Sequence, residues 1–334
     1  MLKLNAVQVE VSTICQLKCM MCPRSIFLKD WINKNMDLDT YKKIPFKNFR
    51  YVHLQGWGEP LLNPNVVEMI EIAKRDKCKV GTTTNGILLK DLARDLVNAG
   101  IDLIVISVAS VNDLKQKVIR GYDLNELFDS IRVLSNLKKN GKPKIVINTI
   151  MLKDTIHELP EFVRIAKELG VDEVIANNLD YIPKKELSDL KVYSNEVKNE
   201  YIHVVNRAKA LARELNVNLA VRPLRIEEAL VCAENPIRNC FITVNGDVAP
   251  CVYSHLPTKS NKIVRFFEGK EVYVDKMYFG NVNCKDFKKI WNSKEYKNFR
   301  AIFEERIRVL SDFLNYRVPK LPEICRSCYK AYSV

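Results

Sequence analysis

No stretch of this 334-residue chain approaches the run of about eighteen apolar residues that reads as a membrane-spanning helix. The opening MLKLNAVQVEVS likewise lacks the apolar core of a secretory signal. Glycine and proline are scarce, at 11 and 13 residues, which excludes collagen-like and low-complexity chains. No internal repeat emerges beyond a simple alternation of strand and helix patterns. Nor is any RNA-binding module recognisable, so nucleic acid is not an expected partner, and neither is a membrane. Hydrophobic residues make up 47% and charged residues 28%, the balance of a globular protein rather than a disordered one. Together these absences predict a soluble, cytoplasmic protein built as one large domain, or one with a small extension.

Basic residues, by contrast, are in excess, giving a formal net charge of +13. They are scattered as pairs such as Lys42-Lys43, Lys138-Lys139 and Lys288-Lys289, the pattern of a solvated lysine-rich surface. Such a surface also suits an acidic electron-carrier protein or an anionic substrate. The informative excess is the ten cysteines, at 15, 19, 22, 78, 232, 240, 251, 284, 325 and 328. Without an export signal they point to metal binding or catalysis rather than disulfides.

From residue 6 to about 180, short β-rich runs alternate with amphipathic helical patterns. Strands are expected at Ala6–Val11, Tyr51–Gln55, Lys79–Thr83, Leu103–Val108, Lys144–Ile150 and Glu173–Ala176. Helices are expected at Asn65–Arg75, Leu88–Asn98, Leu124–Lys139 and Ile156–Leu169. A long polar helix, Ser194–Leu215, leads into a strand at Asn216–Arg222, and a further helix covers about Cys284 to Arg308. Six strand–helix units predict an α/β fold of parallel strands with right-handed crossovers. Periodicity does not say whether such a sheet closes.

After the first strand comes Cys15-Gln-Leu-Lys-Cys19-Met-Met-Cys22-Pro23. Three thiolates within eight residues can wrap one metal centre from a single loop. Zinc sites normally close four ligands, whereas a set that stops at three suits a four-iron four-sulfur cubane with one iron left open. A fragment of a zinc site is the competing reading. The next strand ends in Gln55-Gly56-Trp57-Gly58-Glu59-Pro60. Glycines there allow close backbone approach, and a carboxylate can accept hydrogen bonds from an ammonium group. Thr84-Asn85-Gly86, Ser107 and Asn148 close the third, fourth and fifth strands, where the sites of parallel α/β folds lie. Each could equally cap a helix or end a turn.

The cysteine loop, followed one strand later by Gly-Glu-Pro, resembles the radical S-adenosylmethionine (SAM) superfamily. That resemblance implies a partial (β/α)6 TIM-like barrel in which Cys15, Cys19 and Cys22 hold a [4Fe–4S] cluster that binds SAM. It further implies that Gly58 and Glu59 cradle the SAM amino group, that Ser107 and Asn148 reach its ribose or carboxylate, and that Arg120 reaches its carboxylate. There are departures from the family pattern. Trp57 replaces the first glycine of Gly-Gly-Glu-Pro, Met21 stands where an aromatic is frequent, and residues 107–110 lack a common acidic residue.

Downstream, Asn245-Gly246 is a hairpin signal between two β-rich runs and draws separated cysteines together. Two of Cys232, Cys240 and Cys251, with the Cys325-Arg-Ser-Cys328 pair, could then close a full metal shell, for zinc as well as for a cluster. The spacing Cys232-x13-Gly246-x4-Cys251, with Phe279-Gly-Asn-Val282 and Lys289-Ile-Trp-Asn-Ser293, resembles the SPASM and twitch extensions of radical SAM enzymes. This resemblance implies a second, auxiliary [4Fe–4S] cluster on Cys232, Cys251, Cys325 and Cys328, with Cys240 as the rival for the place of Cys232. Only six residues follow Cys328, which leads to the shorter twitch form with one such cluster. The expected division is 1–225 for the core and 226–334 for the extension. Cys78, Cys284, His53, His157 and His203 are expected in the core, and His255 in an exposed loop.

The implied activity is reductive cleavage of SAM to a 5′-deoxyadenosyl radical that abstracts hydrogen from a substrate. Reduced ferredoxin or a similar carrier is the implied electron donor. GWGEPLLNP, FITVNGDVAPC, Ser254-His255 and FGNV…IWNSKEYKNFR most resemble the maturases linked to tungsten-containing aldehyde ferredoxin oxidoreductases. The implied partner is accordingly a tungsten-containing oxidoreductase or its tungstopterin cofactor. Alternatives are a peptide-modifying maturase, a twitch-type radical dehydrogenase, an RNA-modifying radical enzyme, and a non-catalytic zinc or iron–sulfur interaction protein.

Overall fold

A computed structural model describes residues 4–309 and 318–334. Its frame is a nine-stranded sheet. Seven strands come from the first two-thirds of the chain: β1 (Leu4–Val9), β2 (Phe49–Leu54), β3 (Lys79–Thr84), β4 (Leu103–Ser107), β5 (Lys144–Met151), β6 (Glu173–Asn178) and β7 (Asn218–Val221). Each lies parallel to its predecessor, in the spatial order 7-6-5-4-3-2-1. Such one-directional winding belongs to (β/α) barrels; a doubly wound sheet reverses its order midway. The far side of β1 pairs in parallel with β8 (Asn239–Ile242), which pairs antiparallel with β9 (Val248–Ala249). Since β7 and β9 do not pair, the barrel is partial.

The apolar runs in β4 and β5 account for parallel strands covered on both faces: Ile104, Ile106, Ile145 and Ile147 are completely buried. The covering helices show one apolar face each. Leu89–Asn98, for example, buries Leu89, Ala93 and Leu96 and leaves its charged residues outside. Gly100 (φ +82°) and Gly170 (φ +67°) end the helices before β4 and β6 in the left-handed region that glycine tolerates.

Beyond residue 225, β8 and β9 extend the same sheet across the expected boundary, because Val7 pairs with Cys240 and Val9 with Ile242. A separate two-stranded ribbon, β10 (Lys262–Phe267) with β11 (Lys270–Asp275), adds to the expected elements; it carries no sequence signal as strong as Asn-Gly. The expected helix from Cys284 to Arg308 is two helices, Phe287–Trp291 and Lys294–Arg308. Ser293 divides them by accepting a hydrogen bond from the Tyr296 main chain, as an N-cap does.

Three expected core residues are on the surface. Cys284 is exposed in the turn after Asn281. His203 is exposed because Asn199–Leu215 buries Tyr201, Val204, Val205, Ala208 and Ala212 on its other face. His157 is exposed in a single 3-10 turn rather than lying on an inward helix face. Cys78, as expected, is buried, its thiol donating to the Phe46 carbonyl at 2.9 Å. His53 is partly buried on β2 between the Tyr51 hydroxyl (2.6 Å) and the Thr83 hydroxyl (2.9 Å), and burial pushes its pKa down to about 4. Among the described residues no helix is long and apolar enough to cross a membrane.

Candidate active site and metal centres

At the carboxyl ends of the parallel strands lies a cavity of about 230 Å³. Cys15, Cys19 and Cys22 line it, together with Gly58, Glu59, Asn85, Ser107 and Arg120. The cysteine loop follows β1 and closes with Cys22 N–H on the Cys19 carbonyl (3.1 Å). Pro23 then starts a single helical turn, Pro23–Ile26, where its fixed φ suits the first position. The loop is anchored on both flanks. Arg24 donates to the Leu17 carbonyl at 3.1 Å, and Met20 N–H to the Ile119 carbonyl at 3.0 Å.

Gly58 serves the meeting of two backbones. A Cβ there would fall 2.5 Å from the Ser12 carbonyl oxygen and 2.6 Å from Thr13 backbone atoms. This approach lets Glu59 N–H donate to the Ile14 carbonyl at 2.7 Å, fastening the Gly-Glu-Pro turn to the cysteine loop. The Glu59 carboxylate accepts from Asn85 N–H (2.7 Å), the Thr84 hydroxyl (2.8 Å) and Leu61 N–H (3.1 Å). Burial outweighs these bonds and pushes its pKa up to about 7. It is a rigidly held, desolvated acceptor. Opposite in charge, Arg120 is buried in the same cavity, and its Nε is buried with no hydrogen-bond partner.

Burial also raises the Cys15 thiol and pushes Cys22 up to about 12. Without a metal such thiols stay protonated; a bound metal would ionise them. Three thiols on one loop, a carboxylate suited to an ammonium group and an unsatisfied guanidinium nitrogen are together a donor set that fits a thiolate-bound cluster beside an amino acid. Among the described residues, no three His, Cys, Asp or Glu side chains are already arranged to hold a metal ion.

A second, narrow cavity is lined by Cys232, Cys251, Cys325 and Cys328, with Glu234, Arg265 and Lys330. Local structure explains the gathering. Glu227 and Ala229 N–H donate to the Tyr332 and Ala331 carbonyls, laying the Cys232 segment beside Cys328. Cys328 N–H closes a turn on the Cys325 carbonyl at 3.2 Å. Cys251 arrives just after β9, on the return limb of the hairpin where Gly246 adopts φ +88°. Desolvation raises all four thiols, Cys232 to about 12, and their mutual charge adds to it at Cys232, Cys251 and Cys325. Arg265 Nε is buried without a hydrogen-bond partner, and Lys330 is buried too, so cationic groups border the sulfurs. That setting suits an anionic thiolate-bound centre. Cys240 lies outside this cavity, buried in the main core on β8.

The two cavities share a wall. Asp180, in the first, forms a 2.7 Å ion pair with Lys330, in the second. Trp57 lines the first cavity, and its ring stands edge-on to Tyr181 (5.3 Å) and to Tyr253 of the second (6.0 Å).

Of the residues expected to contact SAM, Asn148 stands outside the cavity lining. It is the register partner of Ser107, and its side-chain oxygen accepts from Asn177 at 2.5 Å. His255, expected to be exposed, is only 9% exposed; burial pushes its pKa down to about 4, and its Nδ1 has no partner. Trp57 holds the adjacent segment inside by donating to the His255 carbonyl. Sequence reasoning missed Arg24, Asn178, Asp180 and Tyr181. The last three follow from strand-end position once β6 is carried to Asn178, two residues beyond its expected end.

Residues 9–166 match the Radical SAM superfamily, and residues 232–329 match an iron–sulfur cluster-binding domain, SPASM. The tungsten-containing aldehyde ferredoxin oxidoreductase cofactor-modifying protein of Pyrococcus furiosus is 29% identical over 306 residues, 88% of this chain and 82% of that protein. A probable GTP 3′,8-cyclase of Methanocaldococcus jannaschii is 26% identical over 269 residues, 75% of this chain and 85% of its own. Among solved structures, Streptococcus suis SuiB bound to S-adenosylmethionine superposes with a TM-score of 0.69 at 16% identity, covering 97% of this chain and 77% of that one. Native anSMEcpe with bound AdoMet gives 0.64 at 14% identity, covering 98% and 88%. These two likenesses establish the fold. The chain is thus a member of the radical SAM superfamily, an enzyme with a SPASM-type iron–sulfur domain that takes [4Fe–4S] clusters and SAM as cofactors.

Proposed function

We propose that the chain cleaves SAM reductively and uses the resulting radical to abstract hydrogen from a substrate, in the maturation of a tungstopterin cofactor or of the oxidoreductase that carries it. The observation that carries this reading is the fastening of the Gly58-Glu59 turn onto the cysteine loop through the 2.7 Å bond from Glu59 N–H to the Ile14 carbonyl. The cofactor-modifying relative supports the substrate assignment, since the likeness spans most of both chains.

In this reading Cys15, Cys19 and Cys22 hold the SAM-binding cluster, and Cys232, Cys251, Cys325 and Cys328 the auxiliary one. A cluster and SAM, when bound, supply a one-electron cleavage that yields methionine and a 5′-deoxyadenosyl radical. Glu59 takes the methionyl ammonium on a carboxylate already fixed by three hydrogen bonds, so little reorganisation accompanies binding. Arg120 takes the carboxylate with its unsatisfied guanidinium, Ser107 the ribose, and Asn148 supports Ser107 from the adjacent strand. The aromatic wall of Trp57 and Tyr181 keeps water from the reacting carbon.

The division falls near residue 225, with a core of 1–225 and an auxiliary unit of 226–334 that shares the sheet through β8. Ten free cysteines support a reducing, cytoplasmic setting, and the electron donor is reduced ferredoxin or a similar carrier. The test is anaerobic reconstitution followed by dithionite reduction with SAM. About eight irons per chain and 5′-deoxyadenosine formation are expected, the latter abolished by Cys15→Ala, Cys19→Ala or Cys22→Ala. Zinc in place of iron at the amino-terminal cysteines would refute the assignment.

A further inference from the structure

Of the two outer strands of the large sheet, one is covered and one is open. β9 is sealed by the chain beyond it: Val248 N–H donates to the Gly280 carbonyl and Phe279 N–H to the Val248 carbonyl, both at 2.8 Å. β7 pairs with β6 on one side, and among the described residues no main-chain hydrogen bond reaches Asn218–Val221 from the other. The strand itself, Asn-Leu-Ala-Val, carries neither charge nor proline, two of the devices that stop an outer strand from pairing further. It thus presents a row of unpaired amide and carbonyl groups about 13 Å long.

Beside that edge runs a basic groove. On the helix Asn199–Leu215, Ile202, Asn206, Lys209 and Arg213 follow at helical spacing and form one stripe. Ile202 is 41% exposed despite being apolar. Two open hollows, of about 460 and 570 Å³, lie between this stripe and β7, and they adjoin because Asn206 and Lys209 line both. One extends to Arg213, Asn218 and Leu219, the other to Val221, Arg222, Leu224 and Arg225. No acidic residue lines either. Of the cations there, Arg225 pairs loosely with the exposed Glu227 at 3.4 Å, and Arg222 Nε donates to Asn177 at 3.1 Å. Lys209 and Arg213 have no ion-pair partner among the described residues.

We propose that this groove docks an extended acidic segment of a partner polypeptide, which adds to β7 as a further strand. Strand addition draws affinity from main-chain bonds and specificity from alternate side chains. One set of those side chains faces the helix stripe, where Ile202 takes an apolar group and Lys209 and Arg213 take carboxylates. A second copy of this chain is a poor occupant, because it would bring the same cations together. A nucleic acid matches the charge but has no amides to pair with the strand edge. The groove lies apart from both cysteine-bearing cavities, whose linings include none of these residues.

The test uses the reconstituted full chain and, as probe, a fluorescein-labelled octapeptide alternating valine with glutamate. Anisotropy should show saturable binding, about tenfold weaker when every peptide amide is N-methylated, which removes the strand donors and keeps the charge. Lysine in place of glutamate should abolish binding. Hydrogen exchange at Asn218–Val221 should slow when the acidic peptide binds. Lys209→Glu combined with Arg213→Glu should weaken the peptide at least tenfold and leave dithionite-driven deoxyadenosine formation unchanged, so docking and radical chemistry are read separately. No saturable binding by the wild type, or equal binding of the plain and N-methylated peptides, would overturn the proposal without recourse to a variant. So would tighter binding of a single-stranded oligouridylate than of the peptide, which would assign the groove to nucleic acid. Sedimentation as a dimer with Asn218–Val221 already protected from exchange would assign it to a second copy instead.

Discussion

The indole Nε1 of Trp57 donates to the His255 main-chain carbonyl at 2.9 Å, joining the Gly-Glu-Pro turn to the chain that follows Cys251. A second bond from the same nitrogen reaches the Val252 carbonyl at 3.2 Å, and the Trp57 main chain is held by Glu10 Oε1 at 3.0 Å. Glu10 also accepts from Val244 N–H (3.4 Å), in the β8–β9 hairpin. A glycine at position 57, as in the usual family motif, could make none of the side-chain contacts. The departure from pattern is therefore a strut between the two cysteine sites.

Trp57→Phe keeps a ring and removes both indole bonds. It should cost about 1–3 kcal/mol, read as a lower urea midpoint with unchanged slope. Iron content at the amino-terminal site should stay intact, because Cys15, Cys19, Cys22 and Glu59 keep their own anchors. An unchanged midpoint would show that the strut carries no load.

Glu59 and Glu10 are both pushed up to about 7 by burial. A carboxyl raised this way binds its proton more tightly folded than unfolded. Its contribution to stability is thus complete below the unfolded value of 4.5 and is lost as pH rises to about 7. The cofactor-free chain should therefore become less stable between about pH 5 and 7, and Glu59→Gln should flatten part of that slope. SAM binding should run the other way, tightening as Glu59 ionises. Calorimetric titration of SAM across this range checks it; an affinity independent of pH in the wild type would contradict the role of Glu59.

Gly58→Ala forces a Cβ into the Ser12 and Thr13 backbone, which cannot rotate away as a side chain could. The turn must lift from the cysteine loop, breaking the bond from Glu59 N–H to the Ile14 carbonyl. The expected result is loss of the amino-terminal cluster with retention of the auxiliary one, so that iron falls from about eight to about four per chain. Retained SAM cleavage in this variant would overturn the structural account of the glycine.

Much of this is legible in the sequence because it is local. The Cys-x3-Cys-x2-Cys loop, the Gly-Glu-Pro turn and the Asn245-Gly246 hairpin each declare themselves within a few residues. The strands of the barrel read from their apolar runs for the same reason. What stays hidden depends on partners far along the chain. The sequence stops β6 at Ala176 because Asn177 and Asn178 are poor strand formers, yet pairing with Ile150 and Met151 carries it on and delivers Asn178 and Asp180 to the cavity. The burial of His255 is set by Trp57, nearly two hundred positions away. The exposure of His157 and His203 turns on which face of each segment meets the sheet, and a lone histidine does not announce that.

The auxiliary ligand set can be decided by the contrast between Cys232 and Cys240. Both are raised by burial, so thiol ionisation does not separate them. Position does. Cys232 lines the second cavity with Cys251, Cys325 and Cys328, whereas Cys240 sits on β8 opposite Val7 of β1, inside the main core. Cys240→Ala should therefore keep its iron and lose about 1–2 kcal/mol of stability from the small void it leaves. Cys232→Ala should lose the iron of the auxiliary site while keeping SAM-perturbed paramagnetic resonance from the amino-terminal one. The reverse pattern, with iron lost on replacing Cys240 and kept on replacing Cys232, would require the β1–β8 pairing to open when the metal binds.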